Sequence, residues 1–203
     1  MRIGKDLIGK PIYSITDGKH LGTLKDLYID LDLGVVNGLF LGSEGLIKRK
    51  SFIIQRENIS VFGLDVILAA GPDVVVDSSQ MPSVEGWLRR ESLQGKGVDT
   101  PGGTKVGTIG DVLLDDQAKI VGYSLSKVHV AGPVAEHRQV LNDAVLDIKS
   151  GASAMTIDLA KAEQPVSGQE PPVSDETSPA ENMVREDLEG NEVNSENEIG
   201  EDS

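Results

Sequence analysis

The side chains able to do chemistry are few and scattered. Three histidines, His20, His129 and His137, fall in an expected turn, strand and loop, and none has a nucleophile or an orienting acid at motif spacing. Asp30 with Asp32, and Asp115 with Asp116, raise hard-cation binding. Asp30 and Asp32 would share one strand face, yet no calcium-loop spacing and no third acid follows, so they are taken as turn-flanking acids. Gly22-Thr23 and Gly107-Thr108 open no helix, and no GxxxxGK[ST] run exists to cradle a phosphate. With 0 cysteines, thiolate metal sites, disulfides and a cysteine nucleophile are excluded. The expectation is a protein that is not an enzyme and holds no cofactor or metal.

What remains is binding chemistry. Lys48-Arg49-Lys50 and Arg89-Arg90 are the two cationic clusters, and Trp87 stands between Gly86 and Leu88. A basic loop suits phosphate, RNA or anionic lipid, and equally a solvated loop before a strand. Trp87 is read as a residue packing the two halves together rather than as a stacking platform for a ligand. Together Lys48, Arg49, Lys50, Trp87, Arg89 and Arg90 are the candidate partner-binding residues.

The charge balance bears on the partner. The 203 residues carry a net charge of -14, but residues 164–203 account for 12 acids against one base, Arg185. The body is left close to neutral, so bulk charge does not drive nucleic-acid binding. The segment also holds Pro165, Pro171, Pro172 and Pro179, and few large apolar residues, so it cannot bury enough surface to offset the entropy of ordering. Residues 163–203 are expected to form a disordered acidic tail. No apolar run approaches the ~18 residues of a membrane span, and the start Met1-Arg2-Ile3-Gly4-Lys5 lacks a secretory core, which makes the expected location cytoplasmic.

The elements that position these residues occur twice. Gly9-Lys10 corresponds to Gly95-Lys96, Gly18 to Gly103, Gly22-Thr23 to Gly107-Thr108, Asp26 to Asp111, Asp30 to Asp115, Gly38 to Gly122 and Leu41 to Leu125. The offset drifts only from 86 to 84, as if one residue were lost in each of two loops. Within each copy the period is two. Leu27, Ile29 and Leu31 alternate with Asp26, Tyr28, Asp30 and Asp32, which predicts a half-buried strand. Asp17-Gly18 and Gly102-Gly103 supply tight hairpin turns, and Gly38 and Gly122 fall mid-strand where a sharp bend needs a missing side chain. Later apolar runs at 51–55, 65–70, 139–141 and 154–157 supply closing strands. A segment of this length with five or six short strands is expected to curl into a small barrel without exposed edges. The expected fold is therefore all-β: two tandem small β-barrels, residues 1–76 and 90–162, joined by a linker at 77–89 and followed by the tail.

The order Gly-Lys, turn glycine, Leu/Val-Gly, Asp, strand, Asp and Val-x-Gly resembles the PRC-barrel domain, seen first from Gly9-Lys10 to Leu41 with Val66-Ile67-Leu68 closing, and again from Gly95-Lys96 to Leu125 with Met155-Thr156-Ile157. That family includes the cytoplasmic part of the photosynthetic reaction-centre H subunit and the C-terminal domain of a ribosome maturation factor. The resemblance implies an adaptor or scaffold that helps assemble larger complexes through a protein partner. It also brings two other partners into view, RNA or the ribosome through the basic loops, and a membrane complex approached peripherally, with homo-oligomerisation open. Within these 203 residues neither a transmembrane helix like that of the first relative nor a separate N-terminal barrel like that of the second is expected.

Overall fold

In the computed structural model, which describes residues 1–30, 34–45, 50–148 and 153–164, the chain is predominantly β. It opens with β1 (Arg2–Ile3) and a 3₁₀ turn, Gly4–Leu7. Then come β2 (Pro11–Ser14), β3 (His20–Thr23), β4 (Asp26–Asp30), β5 (Val35–Glu44), β6 (Lys50–Gln55), β7 (Ile59–Phe62) and β8 (Ile67–Ala69). After β9 (Val76–Asp77) and further 3₁₀ turns, the same order returns. It runs through β10 (Leu88–Arg89), the turn Arg90–Leu93, β11 (Gly97–Asp99), β12 (Lys105–Leu114), β13 (Ile120–Val128), β14 (Gln139–Leu141), β15 (Val145–Asp147) and β16 (Ala154–Ile157). Two short helices, α1 (Pro133–His137) and α2 (Leu159–Ala162), are added in the second pass. The expected hairpin glycines do sit in the left-handed region, Gly18 at φ 70° and Gly103 at φ 82°.

The strands form three sheets. One runs β3-β2-β8-β7, a second β10-β4-β5-β6-β9, and a third β14-β13-β12-β11-β16-β15 with β1 also on β12. In each half one pair is parallel, Ile12 beside Ile67 and Val98 beside Met155. The closed barrel expected for each half is not found, because among the described residues no ladder joins the ends of these paths. The end strands β14 and β15 are consecutive in the chain, linked by a three-residue 3₁₀ turn, Asn142–Ala144, that carries the chain onward without a ladder across it. The turn Arg56–Asn58 does the same between β6 and β7. In the first half the path is also split where β12's counterpart breaks at Leu24 and Lys25 into β3 and β4.

The mid-strand glycines have a sharper role than bending. A Cβ on Gly122 would lie 2.5 Å from the Val140 carbonyl oxygen, so β13 and β14 approach closely only because it is absent. Single-residue register shifts do lie beside both glycines, between Tyr28 and Ile29 opposite Gly38, and between Leu113 and Leu114 opposite Gly122.

Core and interface meet on β4. Leu27 and Ile29 are fully buried, as the period of two predicts, but Asp26 and Tyr28 on the opposite face are buried too. The strand is covered on both sides rather than half-buried, and its cover comes from the other half of the chain. β10 lies on β4, with Leu88 opposite Ile29 and Arg89 opposite Tyr28. Reciprocally, β1 lies on β12, with Arg2 opposite Leu114 and Ile3 opposite Leu113. At another seam the Val36 N–H donates to the Ala118 carbonyl and the Ile120 N–H to the Gly34 carbonyl. Each of these contacts maps onto its reciprocal by the 84- to 86-residue offset, so the halves are related by an approximate two-fold exchange. Residues 1–165 accordingly form one compact unit, and the segment 77–89, expected to be a linker, supplies the whole of β10 to the sheet of the first half. The tail residues from 165 onward, with Leu31, Asp32, Lys48 and Arg49, lie outside the described residues.

Candidate functional site

Two carboxylates and one guanidinium meet where the halves exchange strands. Asp26 begins β4, and Asp111, its counterpart 85 residues on, lies in β12. Arg90 follows β10 directly, so pairing of β10 with β4 delivers it to the junction. Its Nε donates to Asp26 Oδ1 at 3.0 Å and its Nη1 to Asp111 Oδ2 at 2.7 Å. The backbone completes both acids symmetrically. The Lys5 N–H donates to Asp111 Oδ2 at 3.0 Å, and the Glu91 N–H, its equivalent, to Asp26 Oδ2 at 3.3 Å. The Val112 N–H adds 2.7 Å to Asp111 Oδ1, and Arg89 Nε adds 2.8 Å to Asp26 Oδ2.

All three central groups are buried, Asp26 at 0%, Asp111 at 3% and Arg90 at 7% exposure. Burial is the largest influence on Arg90 and works against its charge, but hydrogen bonding and attraction from Asp111 and then Asp26 together exceed it and raise its pKa. The guanidinium is thus a fixed cation. At its centre the two-fold relation is broken: the position equivalent to Arg90 is Gly4. A Cβ there would lie 2.7 Å from Val112 Cγ2, 2.9 Å from Asp111 Oδ1 and 3.0 Å from Arg90 Cδ. A junction near the two-fold has room for one arginine shared by two acids, and Gly4 leaves that room.

Arg89 and Trp87 build the cover over this cluster. The Arg89 guanidinium carbon lies 3.8 Å over the Phe40 ring and 5.6 Å from that of Tyr28, and also pairs with Glu91 at 3.2 Å. Trp87 tilts against Tyr28 at 6.1 Å between centroids, and its ring lies 3.1 Å from where a Cβ on Gly38 would be. Trp87, Arg89 and Arg90 are therefore brought together at the junction. Arg90 faces inward, and Trp87 and Arg89 present partly exposed surfaces. Lys50 is exposed at the start of β6, opposite Glu44, apart from this group.

The other reactive types stay dispersed. Asp115 Oδ1 accepts the Gln117 and Lys119 N–H groups of its own turn, Asp116 pairs with Arg2 at 3.1 Å, and Asp30 accepts from Asn37. His20 tilts against Tyr13 at 5.1 Å, His129 follows β13, and His137 ends α1. Among the described residues no three histidines or acids converge on one point. A shallow open cleft of about 320 Å³ runs beside Trp87 past Asn37, Gln55 and Arg56. The Arg56 guanidinium is held there by the Ile59 and Gln117 carbonyls and lies 5.0 Å over Phe62.

Sequence reasoning missed Asp26 and Asp111 as partners of Arg90. The signal was present: an acid repeated in both halves, on the strand face otherwise assigned to solvent, with one of two adjacent arginines available to share it. What the arrangement does chemically is hold two halves together, with no buried side-chain nitrogen or oxygen lacking a partner among the described residues. No curated protein matches the sequence. Residues 2–75, the stretch from β1 through the Pro72–Val74 turn, match the family model of the PRC-barrel domain.

Proposed function

We propose that the chain is a non-enzymatic adaptor, a tandem of two PRC-type units at 1–76 and 90–162 whose outer surface captures a protein partner in complex assembly. The observation that carries this reading is the match of residues 2–75 to the PRC-barrel domain, a domain type often engaged in protein interactions. The recurrence of the element order in residues 88–157 supports a second unit of the same kind. The mutual engagement of Asp26, Arg90 and Asp111 supports a structural rather than a catalytic role for the buried charges. Recognition then falls to the exposed Lys50 and the partly exposed Trp87 and Arg89, with Lys48 and Arg49, which precede Lys50 in sequence, as further cations proposed to take part.

Affinity capture with the full chain, with a truncation at residue 164, and with Lys48, Arg49 and Lys50 all reversed to Glu tests the reading. A discrete protein partner retained after nuclease and detergent treatment is the expected result. Charge reversal should weaken capture with little change in melting temperature, because charges that make no buried ion pair contribute little to stability. Capture that nuclease abolishes would replace the adaptor with an RNA-associated factor. Capture only with vesicles would replace it with a membrane-surface protein.

A further inference from the structure

The two halves differ at one sheet edge. In the second half the outer end of β13 stays on β12, with Thr108 facing Lys127 and Gly107 facing Val128. The corresponding edge in the first half is β3, with Gly22 and Thr23 at the positions of Gly107 and Thr108. Here β5 leaves the line. Its last backbone pairings on this side are that of Phe40 with Asp26 and the Lys25 N–H to the Phe40 carbonyl, although the Leu41 side chain still lies beside Gly22, its Cδ2 3.0 Å from where a Cβ there would be. Beyond them Gly42, Ser43 and Glu44 pair with β6 instead. Among the described residues β3 is consequently the terminal strand of its sheet. The Leu24 N–H donates to the Lys10 carbonyl, so antiparallel alternation turns the neighbouring Thr23 N–H away from β2. His20 is exposed, and Leu21, Gly22 and Thr23 are partly so.

The charges beside this edge are mostly of one sign. Lys19 and Lys25 are exposed at its two ends. Of the two acids flanking it in sequence, Asp17 accepts from the Lys19 backbone within its own turn, and Asp26 is buried and paired with Arg89 and Arg90. We propose that β3 takes an extended acidic segment of a partner protein as an added antiparallel strand, in the place that Lys127 and Val128 hold against β12. Main-chain hydrogen bonds to an open edge supply affinity in this mode, and the flanking cations select for acidic side chains. The proposal rests on the adaptor reading and gives it a surface.

The test titrates isotope-labelled full-length protein with three synthetic octapeptides: one alternating Val and Glu, one alternating Val and Lys, and the Val-Glu peptide N-methylated at every second amide. Amide resonances of residues 19–25 should shift with the Val-Glu peptide. The Val-Lys and N-methylated peptides should each bind at least about tenfold more weakly, as should the Val-Glu peptide to a K19E/K25E variant with an otherwise unchanged spectrum. Shifts confined to other residues, no shift up to about 1 mM peptide, or equal binding of the N-methylated peptide would overturn the proposal. Partner capture that survives in K19E/K25E removes the edge and leaves the adaptor reading. Peptide binding at β3 with no protein partner captured does the reverse.

Discussion

Replacing Arg90 with Met is the most direct challenge to the junction. The substitution keeps most of the buried volume and removes the one cation that Asp26 and Asp111 share. Asp26 keeps Arg89 and the Glu91 N–H, but Asp111 is left with two backbone N–H groups and no counter-charge. Breaking a buried ion pair by removing one partner costs about 3–5 kcal/mol, and the Arg89 pair retained by Asp26 places the expected loss near the lower end, about 3 kcal/mol. For a folded unit of this size that corresponds to a melting temperature lower by roughly 6–12 °C. Urea unfolding at neutral pH, followed by circular dichroism, measures it. The decisive comparison is the same substitution in an Asp111→Asn background. There the uncompensated charge is gone, so the loss should shrink by at least about 1.5 kcal/mol. A loss below about 1 kcal/mol in the single variant, or the same loss in both backgrounds, would refute the view that Arg90 acts by sharing its charge between the two acids.

The remaining expectations concern room and burial. Gly4→Ala should destabilise by about 1–3 kcal/mol, since its Cβ meets Val112 and Asp111 inside contact distance, and the effect should fall in an Asp111→Ala background. A neutral Gly4→Ala would mean the junction has slack. Burial pushes the Tyr123 phenol up to about 12 from 10.0. Its neutral form therefore contributes stability that is complete below pH 10 and is lost as the pH rises through about 12, roughly 2–3 kcal/mol in all. Stability against pH should fall less steeply between pH 10 and 12 for Tyr123→Phe than for the parent, and parallel curves would contradict this.

How much of this was legible beforehand depended on whether the information was local. The predominance of strands followed from the period of two around Leu27 and Ile29 and from the turn glycines, because alternation and positive φ are properties of a few consecutive residues. The correspondence of Asp26 with Asp111 and Gly38 with Gly122 was likewise visible as a repeat. The same evidence misjudged where the sheets end. Whether a three-residue 3₁₀ turn such as Asn142–Ala144 leaves a gap is set by how the flanking strands pack, and short turns look alike in sequence.

The junction was decided only by tertiary structure. Asp26 and Tyr28 occupy alternating positions that in one isolated half would face water, and an acid there is ordinarily a solvated one. Only when β10 crosses to β4 and β1 crosses to β12 does that face become an interior, and only then does Arg90 have two carboxylates within 3.0 Å. The strand exchange joins residues some 60 to 110 positions apart, and the periodicity of either half carries no term for that distance. The sequence by itself determined the strands and their repeat. Which surface of each half became core was determined by the pairing between halves, because burial belongs to the assembled pair and to neither half alone.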